Sequence, residues 1–406
     1  MTVQLGTADR PRESRAVPAW LRLGFRPFFL SAAGFSVVAM AVWTAVWTFE
    51  RPWLAVSVPA TLWHAHVMLF GYTSAVIAGF LLTAVRNWTD LPTLRGTPLL
   101  AVWSVWLFAR IAWFLPWEAD ALLPAMAAVC DLGFGFAICW ALALPLVRTG
   151  QQAQLVIVAK VAVFVVANGL CYLTVLGFWE AGFDWGIRLG VYTVISLILV
   201  LGRRVIPMFI ARGAGYPVQP KNYGWVDRLA LPLFLAFVLA DLFLGHPTVT
   251  AWLAGLLAIV YGCRLWGWHT PGIWRKPLLW VLYIGYSWVV AGFVLTCLGW
   301  WWPISPYLPL HAWTAGGIGV MTIGMMTRVT LGHTGRNVLD APSGVGPLCG
   351  LIVASAFCRV MGPWLWPERE AVWIVLSQIT WILAGLLFLW IAAPLLVRPS
   401  LESPDD

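Results

Sequence analysis

Apolar stretches of about twenty residues follow one another along almost the whole chain, and they constrain the fold more than any other feature. Only 10% of the 406 residues are charged, whereas about a quarter of the residues in a soluble domain are charged. A helix of about 20 apolar residues crosses the hydrocarbon core of a bilayer, while a membrane barrel strand shows only about ten alternating residues. The sequence therefore predicts an all-α, polytopic transmembrane bundle embedded in a lipid bilayer.

The apolar stretches predict twelve helices. Their expected limits are 27–49, 60–85, 97–115, 121–147, 153–179, 186–211, 226–245, 249–268, 277–300, 307–332, 343–366 and 371–397. Residues 1–26 then form a cytoplasmic N-terminal segment, 27–397 the transmembrane domain and 398–406 a cytoplasmic tail. The first twenty residues are polar and rich in arginine, so they do not resemble a cleavable signal peptide.

The distribution of basic residues predicts that both termini are cytoplasmic. With the N-terminus inside, nineteen of the 25 lysines and arginines fall in inner segments, and only Arg51, Arg188 and Arg369 fall in outer loops. Inner loops of membrane proteins carry this excess of positive charge. The net charge of +8 is therefore attributed to topology and does not indicate a nucleic-acid partner.

Two of the predicted helices, the second and the tenth, carry histidines. The second contains His64 and His66, and the tenth opens at His311 and ends near His333. Under the predicted topology both helices run inwards, so the first three histidines lie near the outer face. His333 follows His311 by 22 residues, which is roughly 33 Å along a straight helix. One metal ion could bind both only if the helix breaks.

Glycines in the tenth helix leave two structures open. Gly316, Gly317, Gly319 and Gly324 permit a bend, but small residues in membrane helices also allow close helix packing.

The three outer histidines predict a metal or haem site. Imidazole suits haem iron, copper and zinc, and two facing helices that each present a histidine can hold a b-type haem. His64 and His66 would face apart on a regular helix, and they would converge only if they precede it. The alternative is that interfacial histidines bond to water or backbone. Arg51 is the outer cation closest to them in sequence.

A second group of polar residues lies at the inner ends of helices six and ten. Arg203, Arg204 and Arg328 either anchor the topology or form an anion or haem-propionate site. His333 beside them would then serve as a second metal ligand or as a proton-relay group. Lys160 and Asp131 also lie within apolar stretches, where they either pair with each other or line a polar path.

Motifs for other chemistries do not occur. The chain has no Walker loop, no GxSxG and no CxxCH for covalent haem attachment.

Several motifs in order along the chain resemble the NnrS family of bacterial inner-membrane proteins. They are RLGFRPFF at 22–29, WHAH and MLFG within 63–71, AVIAGFLLTAVRNWTD at 75–90, GRRVIPMF at 202–209 and HAWTAGGIGVMTIGMMTRVTLGHTGR at 311–336. The resemblance implies a twelve-helix protein that contains haem b and copper and acts in nitric oxide metabolism and resistance to nitrosative stress, often alongside denitrification. The positions that match the family pattern are His64, His66, His311, His333, Arg203, Arg204 and Arg328.

Two positions depart from that pattern. Val67 stands where the family usually has glutamate, and Tyr283 stands where a histidine is common. If those residues move protons or ligate metal, this chain lacks that step. The resemblance makes nitric oxide the expected ligand but leaves open whether the protein reduces, senses or sequesters it. A transporter of a metal or small anion, and an assembly factor for a haem–copper oxidase, are the alternative functions.

Overall fold

The computed structural model describes residues 17–49, 58–117 and 121–401, and all regular structure in these ranges is helical. Twelve continuous helices occur there, as predicted. They are α1 (Phe25–Phe49), α2 (Ala60–Thr89), α3 (Gly96–Ala112), α4 (Leu122–Arg148), α5 (Leu155–Val175), α6 (Gly182–Gly213), α7 (224–244), α8 (Pro247–Trp268), α9 (Pro277–Leu298), α10 (307–332), α11 (Val345–Leu365) and α12 (Glu370–Val397).

Within the described ranges, nine of these helices are long and apolar enough to cross a membrane, and α3 is a shorter apolar helix of 17 residues. The chain is therefore a multi-pass membrane protein. We call the end of the bundle at which α1 begins the proximal end, and the opposite end the distal end. The assignment of the proximal end to the cytoplasm remains a prediction from the basic residues.

The first and last helices close the bundle through a buried arginine. Arg26, in the first turn of α1, is 0% exposed. Its Nη1 donates to the carbonyl oxygens of Leu396 at 3.1 Å and Arg398 at 2.6 Å, at the end of α12. Carbonyls in the last turn of a helix lack intrahelical partners, and a cation is favourable there. Arg26 therefore links the start of α1 to the end of α12.

Three of the described helices, α2, α7 and α10, contain π-helical segments, and the segment of α7 is Ala240–Leu244. In α2 the segment Val67–Thr73 directly follows His66, and in α10 the segment Ala312–Val320 directly follows His311. Such segments are rare and occur frequently at functional sites. Tyr72 in α2 and Thr322 in α10 share a hydrogen bond of 2.7 Å between their hydroxyl oxygens. The helices α2 and α10 are therefore in direct contact.

The glycines of α10 serve close packing and not a bend. A Cβ atom at Gly316 would lie 2.5 Å from Trp288 Cγ, and one at Gly319 would lie 2.5 Å from Trp381 Cζ3. Neighbouring helices therefore approach α10 at distances that only glycine allows. Because α10 is uninterrupted from residue 307 to residue 332, its two histidines lie at opposite ends of the bundle.

Candidate functional site

The histidines of α2 do not share one site. His64 and His66 both lie in the regular helical part of α2, which begins at Ala60. Residues two apart on a helix project in roughly opposite directions. His64 accordingly faces α1, α10 and α11, whereas His66 faces α5 and the end of α3.

His64 and His311 form the first cluster together with Trp43 and Arg359. The imidazole of His64 stacks on the indole of Trp43, with ring centroids 4.6 Å apart and planes inclined by 11°. Arg359 interacts electrostatically with both imidazoles, and the two imidazoles interact with each other. Side chains of α1 and α2 therefore stack here, and α10 and α11 place His311 and Arg359 within electrostatic range of His64. We call these four residues the His64 site.

Hydrogen bonding leaves a ring nitrogen available on each histidine of the His64 site. Nδ1 of His311 lies 2.8 Å from the carbonyl oxygen of Tyr307. A carbonyl can only accept, so Nδ1 donates, and the neutral ring keeps its lone pair on Nε2. Nδ1 of His64 is buried and has no hydrogen-bond partner among the described residues. Metal-ligating histidines are commonly oriented in the way that His311 is.

His66 lies in a different, fully buried environment. Its Nε2 is 2.8 Å from Oδ1 of Asn168, and its ring stacks on Trp113 with centroids 3.8 Å apart. Because the amide oxygen accepts, Nε2 carries the proton and Nδ1 holds the lone pair. Nδ1 has no hydrogen-bond partner in the described part of the chain. His66 therefore offers one nitrogen to a ligand, but away from His64.

A buried ion pair lies next to His66. Nη2 of Arg110 contacts Oδ1 of Asp131, and each side chain is 1% exposed. Oδ2 of Asp131 accepts a 3.0 Å hydrogen bond from the hydroxyl of Tyr172, which accepts one of 2.8 Å from Nε1 of Trp113. The network thus runs from the ion pair to the indole that covers His66.

The structure also decides between the two predictions for Lys160. Asp131 is paired with Arg110, so a Lys160–Asp131 pair was the wrong alternative, and Lys160 Nζ donates to the hydroxyl of Ser196 instead. Asp131 and Asn168 line a cavity of about 30 Å³, which is large enough for a water molecule. Ser74, Asp131 and Asn168 are the polar side chains in a lining that is otherwise apolar.

Arg203 is engaged by a carboxylate at the proximal end. Its Nε and Nη2 donate to the two oxygens of Asp227 at 2.6 and 2.5 Å. Oδ1 of Asp227 also accepts from the buried Arg264 at 2.8 Å. The forked donors of Arg203 are thus already used within the protein.

The other two arginines of the predicted inner cluster have different partners. Nη1 of Arg204 donates to Oε1 of Gln154 at 3.2 Å. The guanidinium of Arg328 lies 3.5 Å from the ring centroid of Phe209, and no carboxylate in the described ranges lies within ion-pair distance of it. Of the three arginines, only Arg203 is paired with a carboxylate, so the exposed Arg204 and the buried Arg328 both keep their charge available for an anion.

His333 is placed at the proximal end, remote from the His64 site. It follows the last residue of α10, and its ring centroid lies 5.6 Å from that of Phe25. Arg51, the cation expected near the outer histidines, falls outside the described residues. Within the described ranges, no group of three or more histidine, cysteine, aspartate or glutamate side chains is arranged to hold a metal ion.

The two positions that depart from the family pattern lie apart from each other. Val67 is fully buried and is the first residue of the π-helical segment after His66. Tyr283 lies in the second turn of α9, donates to the carbonyl oxygen of Leu265 at 3.1 Å and lies beside His269. Only Val67 is therefore close to a histidine of α2.

An apolar cavity of about 90 Å³ lies between α1, α2, α6 and α10. Phe29, Thr73, Val194 and Thr322 line it, one from each helix. Its walls are almost entirely carbon, and apolar cavities of this kind stay dry and accept small apolar molecules. Thr73 follows His64 by nine residues, so the cavity lies roughly 14 Å further along α2.

Comparison with known proteins places the chain in a family. A family model described as NnrS protein matches residues 19–400, nearly the whole chain. The chain belongs to the NnrS family. The match includes all twelve helices, and NnrS membership together with the apolar helices fits a membrane protein of the nitric oxide response. A comparison with curated proteins gives no match.

Sequence reasoning missed some residues of these sites in this NnrS protein. The sequence predicted no role for Arg359, Asn168 or Tyr172. A signal existed for the first two, because a cation or an amide inside a long apolar stretch is costly and requires a partner. The sequence contains no signal for which partner that is, since it depends on how the helices pack.

Proposed function

We propose that this NnrS protein binds haem b at the His64 site and acts in nitric oxide metabolism or resistance to nitrosative stress in the bacterial inner membrane. One observation carries the proposal: His64 and His311 lie on contacting helices, within range of electrostatic interaction with each other and with Arg359, and each has a ring nitrogen free of hydrogen bonds to the protein. A haem needs one or two axial ligands and cationic or polar partners for its propionates. These residues supply both.

Each side chain of the site has a distinct role in this proposal. His311 is oriented by the carbonyl of Tyr307, so its Nε2 faces away from its own helix turn and is available as an axial ligand. His64 is held flat against Trp43, which restricts rotation of the imidazole. Bound haem would supply the iron that nitric oxide binds. The apolar cavity between α1, α2, α6 and α10 would exclude water from the region on the proximal side of the site.

Copper is less well supported by the residues present. His66 offers one buried nitrogen, but the described residues hold no group of three ligating side chains around it. Copper sites in proteins use several nitrogen or sulfur ligands. We therefore assign no copper ion and derive no chemistry from one.

At the proximal end, Arg328 supports an anion site, whereas Arg203 is occupied by Asp227.

An optical spectrum with iron and copper analysis tests the proposal on detergent-purified protein. We expect a Soret band in the wild type, and a haem occupancy about tenfold lower or more in His64→Ala and His311→Ala, because each would remove an imidazole that holds the iron. His66→Ala and the control His246→Ala, which lies outside both histidine clusters, should retain the band. Nitric oxide added to the reduced protein should change the visible spectrum.

The same preparation separates the alternatives. Iron-replete wild-type protein without haem absorbance would contradict haem binding. Flux of a metal or small anion into liposomes, without haem, would instead favour a transporter. Co-purification with a haem–copper oxidase and no ligand binding alone would favour an assembly factor.

A further inference from the structure

The apolar cavity between α1, α2, α6 and α10 lies where two π-helical segments end. Thr73 is the last residue of the segment in α2, and Met321 directly follows the segment in α10. Both residues line the cavity. Segments of this kind are rare and occur frequently at functional sites. The cavity is therefore associated with the same irregular parts of α2 and α10 that follow His66 and His311.

The lining of the cavity offers no free hydroxyl to a water molecule. Its hydroxyl-bearing side chains, among the described residues, are Thr73 and Thr322. Oγ1 of Thr73 donates to the carbonyl oxygen of Met68 at 3.1 Å, and Oγ1 of Thr322 donates to that of Ile318 at 2.7 Å. A buried water needs about two to four polar partners. A neutral apolar molecule is therefore a better occupant than water.

The volume of the cavity limits the size of that occupant. It is about 90 Å³, whereas pockets for drug-sized ligands measure about 300–1,000 Å³. An engineered apolar cavity of about 150 Å³ binds benzene or xenon. A lipid acyl chain is therefore too large for this cavity, and so is an aromatic ring. A diatomic gas or a single xenon atom fits.

The space is a local feature of the bundle and does not reflect loose packing of α10. Two residues before Met321, at Gly319, an added Cβ atom would lie 2.5 Å from Trp381 Cζ3. Atoms around an unfilled volume lose dispersion contacts, and a small occupant would restore them. The ring of Phe29 and the polarisable thioethers of Met321 and Met325 are part of the wall.

We propose that this cavity binds one small, neutral, apolar molecule of the size of a diatomic gas. The site needs neither a metal nor a charge, because the volume and the engaged hydroxyls select the occupant. If the gas is nitric oxide, this inference rests on the proposed function and deepens it. The gas would then be held roughly 14 Å along α2 from His64.

Xenon is the probe for this site, since its neutral, polarisable atom enters small apolar cavities. Crystals of the purified protein pressurised with xenon should show an anomalous peak between Phe29, Val194 and Thr322. Val194→Phe places a phenyl ring in the cavity, so the peak should be lost. Val194→Ile adds a single methylene group and should weaken it. Val166→Phe is the matched control, because Val166 is 57% exposed on α5, and it should keep the peak.

Thermal unfolding shows whether the variants keep the fold. Val194→Ile should raise Tm or leave it unchanged, because a methylene group that enters empty space gains dispersion contacts, whereas one forced into a filled core causes strain. A wild type without a xenon peak would overturn the proposal. So would a peak that persists in Val194→Phe, a lower Tm in Val194→Ile, or electron density for an acyl chain or for ordered water in the cavity.

The extension to nitric oxide has its own measurement. After a laser pulse releases nitric oxide from the haem, part of the gas rebinds from within the protein. Val194→Phe should raise that fraction, because the gas can no longer leave the haem for the cavity, and Val166→Phe should not change it. If haem is present and the fraction is the same in Val194→Phe, the extension to nitric oxide is refuted. If the protein contains no haem, the proposed function fails, and the xenon measurement still decides the cavity.

Discussion

Replacement of Asp131 by asparagine is the substitution whose cost the structure defines best. Asp131 and Arg110 are each 1% exposed, and Nε and Nη1 of Arg110 have no hydrogen-bond partner in the described ranges. The carboxylate therefore carries nearly all of the compensation for the guanidinium charge. Removing one partner of a buried pair typically costs about 3–5 kcal/mol. We expect Asp131→Asn to lose that much free energy of unfolding.

An exposed pair in the same chain provides the matched control. Arg188 and Asp184 form an ion pair with side chains that are 42% and 61% exposed. Solvent-exposed pairs contribute about 0–1 kcal/mol, so Asp184→Asn should change the free energy of unfolding by no more than that. Unfolding by increasing SDS in mixed detergent micelles, followed by tryptophan fluorescence, measures both variants on the same scale.

A double variant separates the effect of charge from that of packing. Arg110→Met combined with Asp131→Asn removes both charges, and replacing a whole buried ion pair by neutral side chains is often close to neutral. The double variant should therefore recover most of the stability that Asp131→Asn loses. If Asp131→Asn costs no more than Asp184→Asn, or if the double variant is no more stable than the single one, the assignment of the cost to an uncompensated arginine is wrong.

Two further predictions concern helix packing and topology. Gly292→Ala should destabilise the bundle by about 1–3 kcal/mol, because a Cβ atom there would lie 2.1 Å from Nε1 of Trp313. Gly133→Ala, where nothing lies within 4 Å of the added Cβ, should be tolerated in the same SDS titration. For topology, green fluorescent protein fused to the C-terminus should fluoresce, and alkaline phosphatase fused within the loop between α5 and α6 should be active. The reverse pattern would contradict cytoplasmic termini.

The helix count and the helix limits could be read from the sequence because they depend on local properties. Each apolar stretch forms one helix, so twelve helices were predicted and twelve are described, of which nine are long and apolar enough to cross a bilayer. Even the narrow separation of α7 and α8 is local: Gly245 adopts a φ of 56° after α7, and Pro247 begins α8. The family, too, was recognisable from short motifs, and its match to residues 19–400 confirms it.

The candidate site was only partly predictable. The sequence predicted His64 and His311 at the same level of two helices, and in the structure these helices are in contact and the two imidazoles lie within electrostatic range of each other. The sequence analysis also grouped His66 with these two histidines, but helical geometry turns the side chain of His66 towards Asn168. That these histidines bind a metal remains a prediction until the spectra are measured.

What the sequence by itself determined is which segments enter the membrane and which of them carry polar side chains. Only the tertiary structure decided which polar side chains meet, as when Asp131 pairs with Arg110 and not with Lys160, or when His66 bonds to Asn168. The physical reason is one of range. Apolar length and helix-terminal residues act within one segment, whereas a charge buried between helices is satisfied by whichever neighbour the packing of the bundle presents to it.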